Sequence, residues 1–326
     1  MSLSLSRPPR LLLSLHPRGD NRLMFFFSSS SDQSLILSTM VVVKNNTLTM
    51  SKVGSKDFIV QRNFVRGFVC CSLTRRYVVC NPNTRQVIPI PEDYNLVGYT
   101  TPLYMYLGYD HIKDQYKVLR VKMRTSSTSP ILHSVWTLGG SSSSWRRIES
   151  SILYYCCEYN GVCIDGVVYY EVCLEPYGNY MVVSSFDVAS EQIRLIKTPE
   201  NMVAAYLTNY LRKLASYGLS DYDDGFILWV IDDVKNQFWS KRACIFSSIT
   251  HSLLLDIDMY FSGITAAGEI VVYVLWTSSS CDPFELFFYH VERKAKRRVQ
   301  IEGFAGDEVT CFASLSCNFV ENIIYL

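Results

Sequence analysis

The sequence lacks the short motifs that identify several large classes of enzyme. Its 326 residues contain no glycine-rich dinucleotide loop, no phosphate-binding P-loop, no nucleophile-elbow serine and no His-Glu-x-x-His zinc motif. An excess of charge of one sign is also missing, because 31 lysines and arginines against 30 aspartates and glutamates leave a net charge of +1. No overall attraction to nucleic acid or to anionic lipid is therefore expected. No apolar run approaches the roughly 18 residues of a membrane-spanning helix.

Metal sites and disulfide frameworks are not predicted either. None of the eleven cysteines belongs to a Cys-x-x-Cys pair, and the five histidines are scattered without an i, i+4 pair. The odd number of cysteines, their apolar neighbours and the absence of a clear signal peptide favour reduced, buried thiols. We therefore predict no cofactor, no metal and a location in the cytoplasm, the nucleus or both.

The residues that are abundant favour β-structure. Hydrophobic residues make up 48% of the chain and charged residues only 19%, and there are 22 tyrosines. This balance suits pleated, half-buried strands. Helical signals are confined to a turn or two around residues 204–215.

One strand–turn–strand pattern recurs along the chain. In VVCNPNTRQVIPIPE, residues 78–92, two β-branched runs flank Asn81-Pro82-Asn83-Thr84, which are residue types that suit a tight turn. Similar patterns recur at an average spacing of about 52 residues, near the kelch-type period, and each period holds about four strands. Their turns fall near Ser30, Gly139, Asp187, Asp232 and His290.

We therefore predict an all-β, kelch-like β-propeller of about six four-stranded blades, with five or seven as alternatives. Radial repetition is favoured because it leaves only short, protected sheet edges. The propeller is placed at residues 21–326, and residues 1–20 are assigned to a linker. The last run, 309–326, is strand-like but lacks a complete repeat, so we expect it to pair with the first blade and close the ring.

Aspartates form the patterns closest to a catalytic or metal site. Asp256 and Asp258 lie two apart in LLLDIDMYF, so on a strand they share one face at roughly 6.6 to 6.8 Å, near the carboxylate separation of glycosidases. The alternating apolar residues favour an ordinary strand with one wet side. The aspartates of 221–224 resemble the start of a calcium loop but lack its full ligand set, which favours an exposed turn. No catalytic, cofactor-binding or metal-ligating residue is assigned.

A basic run and the tryptophans complete the set of conspicuous residues. The run RKAKRR, 293–298, is expected at the tip of a blade hairpin as a solvated turn, although binding of an acidic surface and nuclear import also fit it. Four tryptophans in the hairpin strands are predicted to pack between blades, namely Trp136, Trp145, Trp229 and Trp239.

Taken together, the hairpin segments resemble a known family. The runs RGFVCCSLTRRYVVCNPNTRQVIPIPE, LGYDHIKDQYKVLRV, WTLGGSSSSWRRIES, GVCIDGVVYY, SSFDVASEQIRLI, LWVIDDVKNQFWSK, ITAAGEIVVYVLW and FFYHVERKAKRRVQIEGF are similar, in this order, to the plant F-box-associated β-propeller family, type 3. This resemblance implies a propeller that recruits substrates to an SCF-type E3 ubiquitin ligase. It also implies an N-terminal F-box that binds a Skp1-like adaptor.

The first residues depart from the family pattern. Neither a leucine-rich L-P-x-D-L-x-x-E-I-L segment nor a Ser-Lys-x-Trp segment occurs, and SRPPRLLLSLHPRGDNRLMFFFSS resembles the linker and first strand that follow an F-box. We therefore expect a non-enzymatic propeller that binds an unknown target protein through its loops and does not itself bind the adaptor. The alternatives are a propeller glycoside hydrolase that uses Asp256 and Asp258, and a nonfunctional, truncated F-box paralogue.

Overall fold

The described residues form twenty-four β-strands and no helix. The computed structural model describes residues 10–16, 22–29, 34–44, 62–73, 76–91, 103–122, 131–140, 144–150, 152, 154, 156–174, 181–202, 206–219, 225–245, 257–276, 284–302 and 312–319. Within these ranges no helix is long and apolar enough to cross a membrane. The prediction of a helical turn around 204–215 is wrong. Residues 206–215 are described, and they lie in two strands and in the tight turn between them.

Four sheets contain four consecutive strands each, and in all four the chain passes from one strand to its antiparallel neighbour. The first sheet contains β4 Arg62–Val65, β5 Phe68–Leu73, β6 Arg76–Asn81 and β7 Gln86–Pro89. The second contains β8 Leu103–Asp110, β9 Gln115–Lys122, β10 Leu132–Thr137 and β11 Arg146–Ile148. The third contains β12 Cys156–Ile164, β13 Val167–Cys173, β14 Met181–Asp187 and β15 Ile193–Ile196. The fourth contains β16 Tyr206–Tyr210, β17 Lys213–Leu219, β18 Gly225–Asp233 and β19 Phe238–Ile245.

The fifth sheet has eight strands and joins the two ends of the chain. It contains β1 Arg10–His16, β2 Arg22–Ser29, β3 Ser34–Lys44, β20 Ile257–Ile264, β21 Glu269–Trp276, β22 Phe284–His290, β23 Ala295–Glu302 and β24 Phe312–Phe319. Strand β24 pairs antiparallel with β1, with Leu13 opposite Leu315, and β23 pairs parallel with β3, with Ile301 opposite Leu35. Strand β1 thus lies within the segment that the sequence analysis assigned to a linker.

The all-β propeller is confirmed, but the prediction of about six separate blades is wrong. The structure has five hydrogen-bonded sheets, because the parallel pairing of residues 300–302 with 34–36 merges the strands at the two chain ends into one sheet. The sequence pattern marks hairpins and not the contacts between sheets, so it did not reveal this pairing. The C-terminal strand β24 does pair with β1 near the N-terminus, as expected.

Apolar side chains fill the space between neighbouring sheets. One cluster joins the β4–β7 and β8–β11 sheets, and the next joins the β8–β11 and β12–β15 sheets. Two more clusters join the β12–β15 sheet to the β16–β19 sheet and the latter to β20–β23. Burial of both faces of a strand explains why runs such as that of β8 are apolar without alternation.

The first strands of three sheets meet at the centre of the ring. The buried Asn63 side chain of β4 accepts a hydrogen bond from the Leu107 N–H of β8 at 2.6 Å and donates one to the Gly161 carbonyl of β12 at 3.1 Å. Gly161 is required here, because a Cβ at this position would lie 2.4 Å from the ring of Tyr106. The amide therefore satisfies backbone groups at the inner edges of two neighbouring sheets.

Candidate protein-binding face

All the described hairpin turns fall at one end of the sheets, which we call the turn face. The turns between the first and second strands lie at 66–67, 111–114, 165–166, 211–212 and 266–268, and those between the third and fourth lie at 82–85, 138–139, 188–190, 234–237 and 291–294. Because the strands are antiparallel, both turns of a sheet lie at the same end. The other links leave from the opposite end, and most of them lie outside the described residues.

A short polar side chain builds many of these turns. Asp110 Oδ1 accepts the backbone N–H groups of Ile112 and Lys113 at 3.0 and 3.1 Å, and the turn ends at Asp114 with a φ of 51°. This combination of a carboxylate at the start and a left-handed residue at the end lets the chain reverse within a few residues. The same arrangement recurs at Asn81 with Arg85, Asp187 with Glu191, and Asp233 with Gln237.

Side chains connect the turns of neighbouring sheets. Arg212 donates to Asp165 at 2.9 Å, and the guanidinium of Arg66 lies 4.1 Å from the centroid of the Tyr109 ring. Leu211 lies against the turn that contains Gly268. These contacts bring the turns together into a continuous face.

Large apolar side chains are exposed mainly at this face. Six such side chains are exposed among the described residues, and five of them lie in a turn or within two residues of one, namely Val87, Ile112, Leu211, Val234 and Phe238. The exception, Tyr206, begins β16 at the opposite end. Hairpin turns usually carry polar residues, so this concentration is a candidate binding surface.

Three of the five belong to the β16–β19 sheet, and we call Leu211, Val234 and Phe238 the apolar patch. Phe238 is the first residue of β19 and is 61% exposed, whereas the next residue, Trp239, is buried between sheets and donates its indole N–H to the Lys197 carbonyl at 2.9 Å. Strand alternation therefore directs Phe238 away from that interface.

Charged side chains surround the apolar patch. Lys213 lies 2.6 Å from Asp232 and, together with the Ser240 hydroxyl, holds the pKa of that carboxyl below its usual value. Arg242 lies 3.7 Å from Glu292 of the neighbouring sheet. The patch therefore has the mixed composition of a protein interface, with apolar residues inside a polar rim.

The basic run of 293–298 begins in the turn between β22 and β23, as predicted, but residues 295–298 lie in β23 and are paired with β22. Arg297 makes two hydrogen bonds to Glu269, at 2.9 and 2.8 Å, and its guanidinium lies 3.6 Å from the centroid of the Phe288 ring. The pairing with Arg297 lowers the pKa of Glu269. The turn is therefore firmly attached to its sheet.

A buried ionic network lies beneath the turn face. The Lys117 ammonium is 3.0 Å from Asp110 and 3.0 Å from Glu191 of the next sheet, and it donates to the Val188 carbonyl at 2.8 Å. Burial raises the pKa of Asp110, but the N–H of Lys113, the Lys117 ammonium and the N–H of Ile112 outweigh it, so the pKa lies below its usual value. For Glu191 burial is likewise outweighed by the paired cations, and its pKa is also lowered.

A cleft of about 380 Å³ adjoins this network. Its walls are formed by residues 146–150 and 152 of one sheet and 190–193 of the next. Arg146 spans it and lies 2.5 Å from Glu191. The Arg146–Glu191 ion pair lies within the cleft, and no small-molecule site is assigned there.

Of the aspartates that the sequence singled out as candidates for a catalytic or metal site, only Asp258 lies within the described residues, so they do not show a catalytic site. Asp258 lies in β20, the strand at the inner end of its sheet, with its backbone opposite Leu275. Asp256 and the aspartates of 221–224 lie outside the described residues. Within the part of the chain that is described, no group of three metal-ligating side chains is found.

The tryptophans occupy the predicted positions between sheets. Trp136 and Trp145 lie with their rings 6.4 Å apart in the cluster that joins the β4–β7 and β8–β11 sheets. Trp145 also donates its indole N–H to the Pro91 carbonyl at 2.9 Å, the counterpart of the Trp239 bond. Trp229 packs against the cluster that contains Trp239. These residues therefore stabilise the ring rather than the exposed face.

Sequence reasoning missed the apolar patch. Leu211 and Arg212 form a two-residue turn in which both residues have positive φ, 49° and 66°, without the glycine or asparagine that normally announces it. Val234 has polar neighbours in the sequence, which indicated only a turn, and Phe238 fell in a predicted strand. The one available signal was Val234, an apolar residue close to the turn predicted near Asp232.

The five sheets and their hairpin turns define a β-propeller, and comparison with known proteins specifies the family. Residues 10–323 match the F-box associated beta propeller domain, so the chain belongs to that family. It is 38% identical over 259 residues to the F-box protein At1g30790 of Arabidopsis thaliana, and 33% identical over 293 residues to the F-box protein At1g52495 of the same plant. These matches cover 75% and 81% of this chain, which spans 64% of the length of each relative.

Solved structures show the same fold. A chain of a nidogen/laminin complex superimposes with a TM-score of 0.51 at 8% identity, covering 94% of this chain and 98% of that one. At this identity the likeness concerns the fold alone.

Proposed function

We propose that this propeller is the target-recognition part of an SCF-type ubiquitin ligase receptor and that target proteins bind at the turn face. The observation that carries the proposal is the exposure of Leu211, Val234 and Phe238 together on one sheet end. Family membership supports it, because the matching relatives are F-box proteins. The proposal assigns target recognition to the propeller and places its action in the cytoplasm, the nucleus or both.

The electrostatics of the described carboxylates support binding rather than catalysis. A general acid near neutral pH needs a raised pKa, whereas Asp110, Glu191, Asp232 and Glu269 have lowered pKa values because lysine or arginine partners stabilise their charged forms. Each of them lies in an ion pair that supports a turn or a sheet junction. We therefore propose a non-enzymatic role.

Quantitative partner capture tests the proposed face. The variant Leu211→Asp/Val234→Asp/Phe238→Asp places charges on the apolar patch, and Tyr206→Asp is the matched control at the opposite end of the same sheet. The amount of each protein that the tagged parent chain captures should fall at least about tenfold with the triple variant. With the control it should stay near the parent level. Circular dichroism and thermal unfolding establish that both variants fold. Equal capture by the parent and a folded triple variant contradicts the proposal.

Adaptor binding provides a separate check. We expect the 326-residue chain not to bind a Skp1-like adaptor directly, since no residue of the propeller is assigned to that contact. Size-exclusion chromatography of the purified chain mixed with the adaptor measures this. A stoichiometric complex contradicts the expectation.

A further inference from the structure

The hairpin formed by the end of β22, the turn at 291–294 and the start of β23 presents a high density of positive charge. Residues 292–298 are all exposed, and five of the six residues from 293 to 298 are basic. The acidic residues beside them are Glu292 and Glu269, so the local charge is positive although the whole chain is nearly neutral. We call residues 291–298 the basic hairpin.

The basic hairpin is held in a defined conformation. Strand β23 pairs with β22 from Ile301 opposite Phe284 to Ala295 opposite His290. Arg293 donates its backbone N–H to His290 Nδ1 at 3.3 Å within the turn. Arg297 is fixed by Glu269 and by the face of Phe288. A hairpin whose backbone is fixed binds an opposite charge with less loss of backbone conformational entropy than a flexible tail does.

The basic hairpin adjoins the apolar patch. Arg242 of β19 contacts Glu292 of the hairpin, and strand alternation places Phe238 and Arg242 on the same side of β19. Four residues along a strand correspond to about 13 Å. A single bound segment can therefore contact both Phe238 and the basic hairpin.

We propose that the basic hairpin and the apolar patch together bind an acidic protein segment that also carries apolar side chains. This inference rests on the proposed function and names the chemical class of the target. Carboxylates of the segment pair with Arg293, Lys294 and Lys296, and its apolar side chains cover Phe238. Residues 295–301 are hydrogen-bonded to β22 within the sheet, so this part of the hairpin offers side chains and not a free segment of backbone to a partner.

The charges on the rest of the turn face favour a protein as the binding partner over a nucleic acid or a membrane. Asp232, Asp233 and Glu292 lie close to the apolar patch and repel a continuous phosphate backbone or an anionic bilayer. A peptide can place its acidic residues at the basic hairpin and its neutral residues at these positions. The near-zero net charge removes any long-range attraction to nucleic acid.

Fluorescence anisotropy of labelled probes tests the inference. The probe is a synthetic peptide of alternating glutamate and leucine, with a glutamine-for-glutamate version as its control. The variant Arg293→Glu/Lys294→Glu/Lys296→Glu reverses the hairpin charge. Arg85→Glu/Lys113→Glu/Arg147→Glu makes the same change in total charge at exposed residues of other sheets.

The acidic peptide should bind the parent chain at least about tenfold more tightly than its glutamine version, and more weakly as salt rises. The hairpin variant should lose about tenfold in affinity and the control variant less than about threefold. Equal losses in both variants, or tighter binding of single-stranded RNA or phosphatidylserine vesicles than of the peptide, would overturn the inference.

Partner capture separates this inference from the proposed function. If the apolar variant loses its captured proteins while the charge-reversed hairpin variant keeps them, the turn face binds targets but the acidic class is wrong. If the apolar variant keeps them, the proposed face itself is wrong.

Discussion

The buried ammonium of Lys117 provides the sharpest test of how the sheets are held together. Lys117 is 3% exposed and Asp110 is fully buried, and the same ammonium reaches Glu191 on the adjacent sheet. Replacement by methionine keeps most of the length of the unbranched side chain but removes the charged ammonium. Asp110 then remains buried without its cation.

The expected loss of stability follows from leaving the Asp110 carboxylate buried without its cation. Removing one partner of a buried ion pair typically destabilises a protein by about 3 to 5 kcal/mol, because the remaining charge is uncompensated. Lys117→Met should therefore lower the free energy of unfolding by roughly this amount, which is a large part of the usual total of about 5 to 15 kcal/mol. Lys113→Met, an exposed lysine of the same hairpin, is the control and should change it by less than about 0.5 kcal/mol.

The effect should also depend on pH in a defined direction. The pKa values of Asp110 and Glu191 are lowered from 3.8 and 4.5, so their contribution is present above about pH 4 and is lost as the pH falls through the folded values. Without Lys117 these carboxyls accept protons more readily. The difference between parent and variant should therefore be largest near neutral pH and shrink as the pH falls towards and below about 4.

Urea unfolding followed by intrinsic fluorescence measures both quantities, because tryptophans lie at the sheet interfaces. A Lys117→Met variant as stable as the Lys113→Met control, or a difference that grows on acidification, would refute this reasoning.

Three other substitutions test separate features of the fold by urea unfolding. Gly161→Ala forces a Cβ against Tyr106 and should cost about 1 to 3 kcal/mol, and unchanged stability would show that the inner strands are not closely packed. His133, whose pKa burial lowers to about 4 from 6.5, stays neutral in the folded chain. Stability should therefore fall by up to about 3 kcal/mol as the pH drops from 6.5 towards 4, and His133→Gln should lessen this fall, whereas an identical profile contradicts the assignment. Trp145→Phe should cost about 0.5 to 1.5 kcal/mol through its lost hydrogen bond, and a stabilised variant contradicts this.

The hairpins were predictable because their turns obey local rules. Asn81, Asp187 and His290 each accept a backbone N–H within their own turn, so the residue type and the turn lie next to each other in sequence. The Asp165-Gly166 dipeptide likewise forms a turn in which both residues have positive φ. Each of these interactions spans only a few residues, which is why the pattern was sufficient to predict a propeller.

The features that escaped prediction depend on distant contacts. The run around 204–215 has apolar residues at helical spacing, but Leu214 belongs to the buried cluster between two sheets, and the chain turns at Leu211. The merging of the end strands depends on a pairing between Ile301 and Leu35 that no local signal encodes. The buried network of Lys117 joins residues more than 70 positions apart.

Hydrogen exchange of the chain with and without a captured target tests the central claim most directly, because it locates the bound surface without assuming which residues bind. We predict slowed exchange at the turns of 211–212, 234–237 and 291–294 and little change at the start of β16, at the opposite end. Protection confined to that opposite end, with the three turns unchanged, would contradict the assignment of target recognition to the turn face.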